Sequence, residues 1–380
     1  MRILFLQPSL SPPGGGNGVA AWMLQALKDE HEVTVFTWTA IDLEVMNRFW
    51  GTSLKAGDFR TMRVPAAVRR LVDALPLPLA LLRTAIMLRT AQRLRADYDV
   101  PVTANNEADF GTTGVQYVHY PWNVFPRPDV DIHWYHVRAL LPPYYWLCRA
   151  VGRFTPSGMH RNITLVNSDW TGRLAHRRYG FVSRTLYPPV TGEFPAVPWE
   201  FREPGFVCIG RISPEKNLER VIDIVEGVRR HMPGVTLHIV GTPDDRAYFA
   251  RVAARASAAG FAIHQNLSRA ALTDLLTHQR YGIHGMLEEH FGMAPAEMVR
   301  AGCIVWVPNG GGQVEIVADP RLTYDSVEDA VAKIVRTLRE PGREAALRAH
   351  LAARAPLFSP EQFMRGVRAA VLDAKDGRMR

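Results

Sequence analysis

The chain has 380 residues, of which 47% are hydrophobic and 22% charged, proportions that suit about two domains with separate cores. The formal net charge is +8, but no helix-turn-helix, zinc or RNA-binding signature accompanies it, so nucleic acid is not an expected partner. No run approaches the roughly 20 apolar residues that span a bilayer, and residues 1–6 predict a strand instead of a signal peptide, so we expect a cytoplasmic protein.

The first half of the chain alternates strands with helices. A proline- and glycine-rich segment at 12–18 separates the first strand from a helix predicted at 19–29. The predicted strands cover residues 2–6, 32–37, 100–104, 114–118 and 164–167. This alternation predicts a parallel, doubly wound sheet with helices on its faces.

The second half repeats the same pattern, with strands near 205–210, 235–240, 261–266, 281–286 and 303–308. Prolines cluster between the halves, where hydrophobic periodicity is weak, at Pro188, Pro189, Pro195, Pro198 and Pro204. We place the domain boundary there. The predicted fold class is therefore α/β, with two Rossmann-like domains at 1–190 and 200–358.

The most informative segment is 289–297, which reads Glu-His-Phe-Gly-Met-Ala-Pro-Ala-Glu. A strand is predicted to break at Gly292 and enter a helix, because Pro295 is tolerated in a first helical turn. Backbone N–H groups at such a helix start favour an anion, while Glu289 and Glu297 could bind sugar hydroxyls. Two glutamates at this spacing also occur by chance on solvated helices, so the pair alone does not decide.

Two cations follow the strand predicted at 205–210. Arg211 offers a planar fork of donors and Lys216 a mobile point charge, just before a helix predicted at 218–231. Together they suit a diphosphate, although either one alone would be interpreted as a surface cation. A glycine-rich turn at 309–312 follows a further strand, so all of these motifs lie at carboxyl ends of strands, where parallel sheets bind ligands.

These motifs resemble glycosyltransferase family 4, the retaining GT-B enzymes that use nucleotide sugars. The residues that carry the resemblance are 210–217, 289–297 and 309–312. The Glu-His-Phe-Gly sequence is similar to the α-1,2-mannosyltransferase branch of lipid-linked oligosaccharide assembly, as are residues 117–121, 166–171 and 186–190.

The resemblance implies two domains facing a cleft, with the C-terminal helix, 360–380, packing back on the first. It implies that the first domain binds the acceptor and the second the nucleotide sugar. The expected reaction moves a hexose, with mannose from GDP-mannose favoured, to a glycan, lipid-linked or small-molecule acceptor. The absence of a membrane-spanning segment departs from that branch and leaves the acceptor open.

The resemblance also implies residue roles in the second domain. Arg211 and Lys216 would grip the diphosphate, Glu289 would contact the sugar and Glu297 the ribose. The binding segment would be completed by Phe291, by the backbone N–H groups of Gly292 and Met293, and by Leu267 beside the nucleobase.

In the first domain, the resemblance carries Gly15 and Gly16 over as contacts to the donor diphosphate and acceptor. His119 would orient the sugar; it is not expected to be a general base, because the leaving phosphate accepts the proton in front-face attack. Residues 16–21 also match the dinucleotide fingerprint, but the intervening segment 7–15 and the lack of an acid after the second strand argue against NAD. The glycines could also be a flexible turn, and His119 an ordinary packed histidine.

No metal and no cofactor are expected. Two Asp-x-Asp pairs, at 97–99 and 129–131, have the spacing of a metal motif but follow no suitable strand. Arg211, Lys216 and helix N-termini would instead neutralise the leaving diphosphate. The three cysteines, at 148, 208 and 303, lack metal-ligand spacing and are interpreted as core residues in a reducing cytosol.

The stretch 69–95 carries six arginines against a single acid, Asp73. Pro76 and Pro78 exclude one continuous helix there. A basic, apolar surface suits peripheral docking on an anionic membrane, and an ordinary surface helix explains the stretch equally well.

Two other classes of function remain open. One is another enzyme of the same fold, such as a sugar-nucleotide epimerase or a phosphorylase. The other is a basic protein that binds nucleic acid or membrane without catalysis.

Overall fold

The computed structural model describes all residues except 13, 76, 78, 122–138, 379 and 380. Contacts divide the chain into two units, Met1–Pro189 together with Pro360–Arg380, and Val190–Ser359. Both units are α/β, and each contains one parallel sheet, so the predicted fold class is confirmed. In the described part of the chain, no helix has both the length and the apolar character to cross a membrane.

The first unit is built on a seven-stranded sheet. Its strands are β1 Arg2–Leu6, β2 Glu32–Thr37, β3 Arg60–Arg63, β4 Val100–Thr103, β5 Val115–Val118, β6 Ile163–Val166 and β7 Ser183–Thr185. Their order is β3-β2-β1-β4-β5-β6-β7, so the sheet extends in one direction from β1 and in the other from β4. Loops therefore diverge at the carboxyl ends of β1 and β4, which is where such sheets form a crevice.

Alternating side chains of β1 supply two cores. Ile3 and Phe5 pack on one face, with α1 and the C-terminal helix, and Leu4 and Leu6 pack on the other. The helices of this unit are α1 Gly15–Leu27, α2 Leu43–Trp50, α3 Ala66–Asp73, α4 Ala80–Leu94, α5 Leu141–Gly152, α6 Pro156–Met159, α7 Asp169–Tyr179 and the C-terminal helix Pro360–Lys375.

The second unit is built on a six-stranded sheet. Its strands are β8 Glu203–Ile209, β9 Thr236–Gly241, β10 Ala262–Gln265, β11 Gln279–Ile283, β12 Ile304–Pro308 and β13 Thr323–Tyr324, in the order β10-β9-β8-β11-β12-β13. Strands β9 and β10 lie on one side of β8 and strands β11 to β13 on the other, so the order in which strands are added changes direction between β8 and β11. Its helices are α8 Leu218–Arg229, α9 Arg246–Ala258, α10 Arg269–His278, α11 Met293–Arg300, α12 Gln313–Val317, α13 Val327–Arg339 and α14 Pro341–Arg354.

Two predicted boundaries were wrong in ways that affect the sites. Helix α1 begins at Gly15, four positions before the predicted start, because the glycines that predicted a turn form its first turn. Strand β11 ends at Ile283, three positions before the predicted end. The chain leaves the sheet there because Gly285 passes close to another backbone segment, as described below.

Candidate functional site

Lys216 and Glu289 meet beyond β8 and β11, the two strands of the second sheet between which the strand order changes direction. Lys216 ends a short 3-10 turn, Pro214–Lys216, that follows β8, and Glu289 lies in the loop after β11. Lys216 Nζ is 2.7 Å from Glu289 Oε2, and both side chains are largely buried. Residues that are 73 positions apart thus form an ion pair where parallel sheets bind ligands.

Two glycines permit this approach. A Cβ on residue 285 would lie 2.5 Å from the carbonyl oxygen of Lys216, so only glycine lets the exit of β11 pass that turn. Gly311 has a φ of +71° and forms a bridge with Glu289, where any side chain would overlap the Glu289 backbone. Gly312 also donates its N–H to the Glu289 carbonyl at 2.7 Å. The glycine-rich turn is therefore attached to the acidic loop.

The Glu289 carboxylate is held through one of its oxygens. Oε2 accepts from Lys216 Nζ at 2.7 Å and lies 3.0 Å from His284 Nε2. Burial alone would raise the pKa of Glu289, but the hydrogen bonds from His284 and Lys216 and the charge of Lys216 outweigh it and hold that pKa well below its usual range. Among the residues that the structure describes, none donates to Oε1. Glu289 is thus an ionised group with one oxygen free to accept.

Sequence reasoning missed His284. It follows β11 directly and is 1% exposed. Burial lowers the pKa of His284, against the opposing effect of Glu289. The available signal was a histidine that ends an apolar strand five positions before the acid.

The start of α11 has the properties that an anion site requires. Gly292 precedes the helix with a φ of +109°, and no side chain caps the first turn. Phe291 is buried, with its ring 5.9 Å from that of Phe358, and it anchors the entry to the helix. Met293 is exposed at the first helical position. The first-turn N–H groups are therefore placed to bind an anion.

Arg211 does not join the Lys216–Glu289 pair. Its guanidinium lies 3.1 Å from Glu215 Oε1 and 2.5 Å from Asp244 Oδ2, and the side chain is 49% exposed. Ion pairs at such exposed positions contribute little free energy, so they can be exchanged for another anion.

Glu297 pairs with Arg269, which sequence reasoning also missed. Burial raises the pKa of Glu297, and the Arg269 charge only partly offsets this. Leu267 is half-buried in the loop after β10, beside Asn266, whose side chain accepts from Thr242 at 2.9 Å. These two predicted residues therefore lie in separate local networks of the same unit.

In the first unit, the glycine loop after β1 contacts His119, which follows β5. A Cβ on Gly16 would lie 3.2 Å from His119 Nε2, so the helix start and the imidazole are in close contact. Gly14, with a φ of +139°, turns the chain into α1, and Gly15 opens the helix with free space around its Cβ position. Gly15, Gly16 and His119 thus belong to one local arrangement.

Within the described residues, the hydrogen-bond partners of His119 are neutral. Nε2 is 2.9 Å from the Ala104 carbonyl, which can only accept, so Nε2 carries a hydrogen. Asn106, with a φ of +64°, accepts from the backbone N–H groups of His119 and Tyr120 at 2.8 and 3.1 Å. Asn167 donates to the His119 carbonyl at 3.0 Å. Sequence reasoning did not identify either asparagine as a support for this histidine.

Asp97 and Asp99 belong to no metal cluster, because the described residues contain no group of three or more His, Cys, Asp or Glu suited to a metal. Asp99 accepts from the Arg2 backbone at 2.8 Å and pairs with Lys375 at 2.9 Å. These contacts lower its pKa to about 2 and explain it as a structural residue. The other pair, Asp129 and Asp131, lies outside the described residues.

Most of the second unit matches a known protein family. Residues 193–356 match the family model described as glycosyl transferases group 1. A GDP-Man:Man(3)GlcNAc(2)-PP-Dol alpha-1,2-mannosyltransferase of Yarrowia lipolytica is 27% identical over 228 residues, which are 52% of this chain. The match covers 35% of that relative, about a third of its length.

Solved structures show the same fold at low identity. Anabaena Alr3699/HepE in complex with UDP aligns with a TM-score of 0.68 and 14% identity, covering 98% of this chain and all of that one. WaaG, a glycosyltransferase of lipopolysaccharide biosynthesis, aligns with a TM-score of 0.63 and 15% identity, covering 96% of this chain and 99% of that one.

Proposed function

We propose that the chain is a GT-B glycosyltransferase related to the α-1,2-mannosyltransferase branch, and that it transfers a hexosyl group from a nucleotide sugar to an acceptor. The reaction would retain the anomeric configuration. The favoured donor is GDP-mannose, after which the mannosyltransferase of Yarrowia lipolytica is named. The observation that carries this proposal is the Lys216–Glu289 pair with a free carboxylate oxygen at the direction change of a parallel sheet.

The positive groups of the second unit would bind the donor diphosphate. Lys216 is fixed next to the acidic loop, and the N–H groups of Gly292 and Met293 lie at the uncapped start of α11. Arg211, whose surface ion pairs are weak, would exchange Glu215 and Asp244 for a phosphate. Fixed donors of this kind stabilise the negative charge that grows on a leaving diphosphate, which is the work that a metal does in other transferases.

The two acids would bind the carbohydrate parts of the donor. Glu289 Oε1 would accept a hydrogen bond from a sugar hydroxyl, since Oε2 is already occupied. Glu297 would accept from the ribose hydroxyls, with Arg269 holding its other side, and Leu267 would border the base. Phe291 would fix the segment by its buried ring.

In the first unit, Gly15, Gly16 and His119 would contact the diphosphate, the acceptor and the donor sugar. The Nε2–H of His119 is donated to the Ala104 carbonyl, which fixes the ring, and the histidine would orient the sugar. The glycosidic C–O bond to the diphosphate would break as the acceptor oxygen bonds to the same face of the anomeric carbon. The acceptor proton would pass to the leaving phosphate oxygen.

The decisive experiment screens donors and then removes Glu289. Thermal shift with GDP-mannose, GDP-glucose, UDP-glucose and GDP identifies the sugar and base, because a ligand that binds only the folded state raises the melting temperature. Glu289→Ala should then cut hexosyl transfer by about 10³-fold or more, the scale of losing a main transition-state contact. The matched control is Glu288→Ala, an exposed neighbouring acid, which should keep the rate. A normal rate in Glu289→Ala would refute the role of Glu289.

The proposed acceptor is a glycan, a lipid-linked glycan or a small molecule, and the proposed location is the inner face of the membrane. Helix α3 and the residues after it expose Leu71, Leu75 and Leu77 to 74%, 50% and 43%, next to the exposed Arg70. In the described chain, only Arg83 among the six arginines at 69–95 forms a salt bridge, with Asp73. An exposed arginine beside exposed leucines suits an anionic bilayer surface.

This location is tested by flotation with vesicles of phosphatidylcholine, either alone or with about 30% phosphatidylglycerol to make the surface anionic. Binding that requires the anionic lipid and is lost in Leu71→Ser with Arg70→Ser supports it. Absence of binding to either vesicle refutes the membrane proposal and leaves the transferase proposal intact.

A further inference from the structure

His284 lies between strand β11 and the acidic loop. Its backbone is fixed on both sides: the N–H donates to the Trp306 carbonyl at 3.0 Å, and the carbonyl accepts from the Tyr324 hydroxyl. Its ring is buried, with Nε2 3.0 Å from Glu289 Oε2. Nδ1 is also buried and has no hydrogen-bond partner within the part of the chain that the structure describes.

These contacts define the protonation state of the ring. A carboxylate can only accept, so Nε2 carries the hydrogen that Glu289 receives. A second proton, on Nδ1, would be buried without an acceptor, which costs free energy. His284 is therefore a neutral donor with one fixed tautomer, in agreement with the lowering of its pKa by burial.

The two hydrogen-bond donors to Glu289 both donate to the same carboxylate oxygen, Oε2. Lys216, from the turn after β8, and His284, from the end of β11, are the titratable groups that face this carboxylate in the described chain. Rotation of the carboxylate would break one or both hydrogen bonds. Lys216 would also be drawn towards the donor diphosphate, whereas His284 is buried behind Glu289 and has no other partner. The bond from His284 is thus the one that persists when substrate binds.

We propose that His284 is a positioning residue that fixes the Glu289 carboxylate so that Oε1 is presented to the substrate. This inference rests on the proposed role of Glu289 in sugar binding. Displacing a catalytic contact by about 1 Å costs about 100-fold in rate, so loss of this donor should be visible in kcat.

Two substitutions separate positioning from packing. His284→Leu fills similar volume without a donor, whereas His284→Gln places an amide N–H near the Nε2 position. We expect His284→Leu to lower kcat by about 10- to 100-fold and His284→Gln to recover most of the loss. The affinity for the nucleoside diphosphate should stay unchanged in both, because Glu289 is assigned to the sugar and not to the nucleotide.

The pH profile supplies a readout that a purely structural role would not move. Glu289 must be ionised to accept, so activity falls as pH drops through its pKa in the folded protein. Removing the His284 hydrogen bond leaves burial opposed by Lys216 alone, so the pKa of Glu289 rises. The acid limb of the kcat profile should therefore move to higher pH in His284→Leu and return in His284→Gln.

The outcomes distinguish this inference from the function on which it rests. A normal kcat and pH profile in His284→Leu, with Glu289→Ala inactive, would overturn the positioning role alone. A normal rate in Glu289→Ala would instead overturn the proposed site. If His284→Leu fails to fold, ¹⁵N spectra of histidine-labelled wild-type protein, assigned with His284→Gln, decide: a neutral Nε2–H ring from pH 5 to 8 supports the inference, and an imidazolium or an Nδ1–H tautomer overturns it.

Discussion

Glu289 in the second unit and His119 in the first occupy the same position in their sheets. The described groups that hold them differ, because those around Glu289 include a charge and those around His119 do not. Both lie beyond the carboxyl ends of parallel strands. The strand order changes direction between β8 and β11 in the second sheet and between β1 and β4 in the first. Glu289 is held by a charged lysine and a buried histidine. In the part of the chain that the structure describes, His119 is held by a carbonyl and two asparagines, all of them uncharged.

This difference fits a division of labour between the units. A diphosphate that reaches the second unit would meet positive charge, because Lys216 and the first-turn N–H groups of α11 lie there. The described groups around His119 offer hydrogen bonds without a charge. We therefore propose that the second unit mainly stabilises charge and that the first mainly orients the substrates.

The largest effect should come from breaking the charged network at Lys216. Lys216→Met should lower kcat by about 10²- to 10³-fold, because the leaving diphosphate loses a fixed positive charge. Lys333→Met is the matched control, since Lys333 forms an ordinary ion pair with Asp329 on α13 of the same unit. Steady-state transfer assays measure both variants. Equal, small losses in the two would refute a special role for Lys216.

Arg211→Met should have a smaller effect than Lys216→Met, about tenfold, expressed mainly in the KM for the donor. Arg211 is half exposed and already neutralised by Glu215 and Asp244, so the free energy that it adds on binding a phosphate is reduced by breaking those pairs. Donor titrations of both variants test this order. A greater loss in Arg211→Met would reverse the assignment.

The sequence predicts some strands of the two sheets better than others. Strands β1 and β2 were predicted to the residue, because an apolar run is bounded in each case by polar or proline-rich sequence. The edge strands β3, β7 and β13 were missed. Strands β3 and β7 are short and polar, and all three pair on one side only, so the sheet determines them more than their own pattern does.

The site was predictable in its residue types but not in its pairings. The motif placed Lys216 and Glu289 after strands, whereas the contact between them depends on close approaches at Gly285 and Gly311. A sequence gives no distance across 73 positions, so the bond from His284 and the separate pairing of Arg211 could not be predicted. Local pattern reveals which groups are available, and backbone packing decides which groups meet.

The neutral arrangement is tested by His119→Gln, which should lower kcat by about tenfold and leave nucleotide binding unchanged. An amide can still donate to the Ala104 carbonyl but lacks the ring that lies 4.9 Å from Tyr117, so orientation weakens without loss of a charge. His160→Gln, at an exposed histidine of the same unit, is the control. A loss as large as that of Lys216→Met would show that the two units do not divide the labour as proposed.

The Glu289 network should also make stability depend on pH. The pKa of Glu289 is lower in the folded protein than its unfolded value of about 4.3, so its contribution is present above that value and is lost as pH falls through the folded pKa. At pH 7, Glu289→Gln should destabilise the protein by about 1–3 kcal/mol, the scale of hydrogen bonds to a charged group. Thermal unfolding at pH 7 and pH 3 should show a smaller gap between wild type and variant at the lower pH. A gap that is constant or widens on acidification would contradict the coupling.

The smallest expected effect is that of chelation. If Lys216, Arg211 and the N–H groups at the start of α11 together neutralise the leaving diphosphate, dialysis against EDTA should leave the transfer rate unchanged. The sharper form of this test repeats it on Lys216→Met. Because that variant lacks the fixed charge, added Mg²⁺ or Mn²⁺ should raise its rate through the diphosphate while leaving the wild-type rate constant. Complete loss of wild-type turnover in EDTA, restored by either ion, would mean that a metal and not the charged network of the second unit stabilises the departing group.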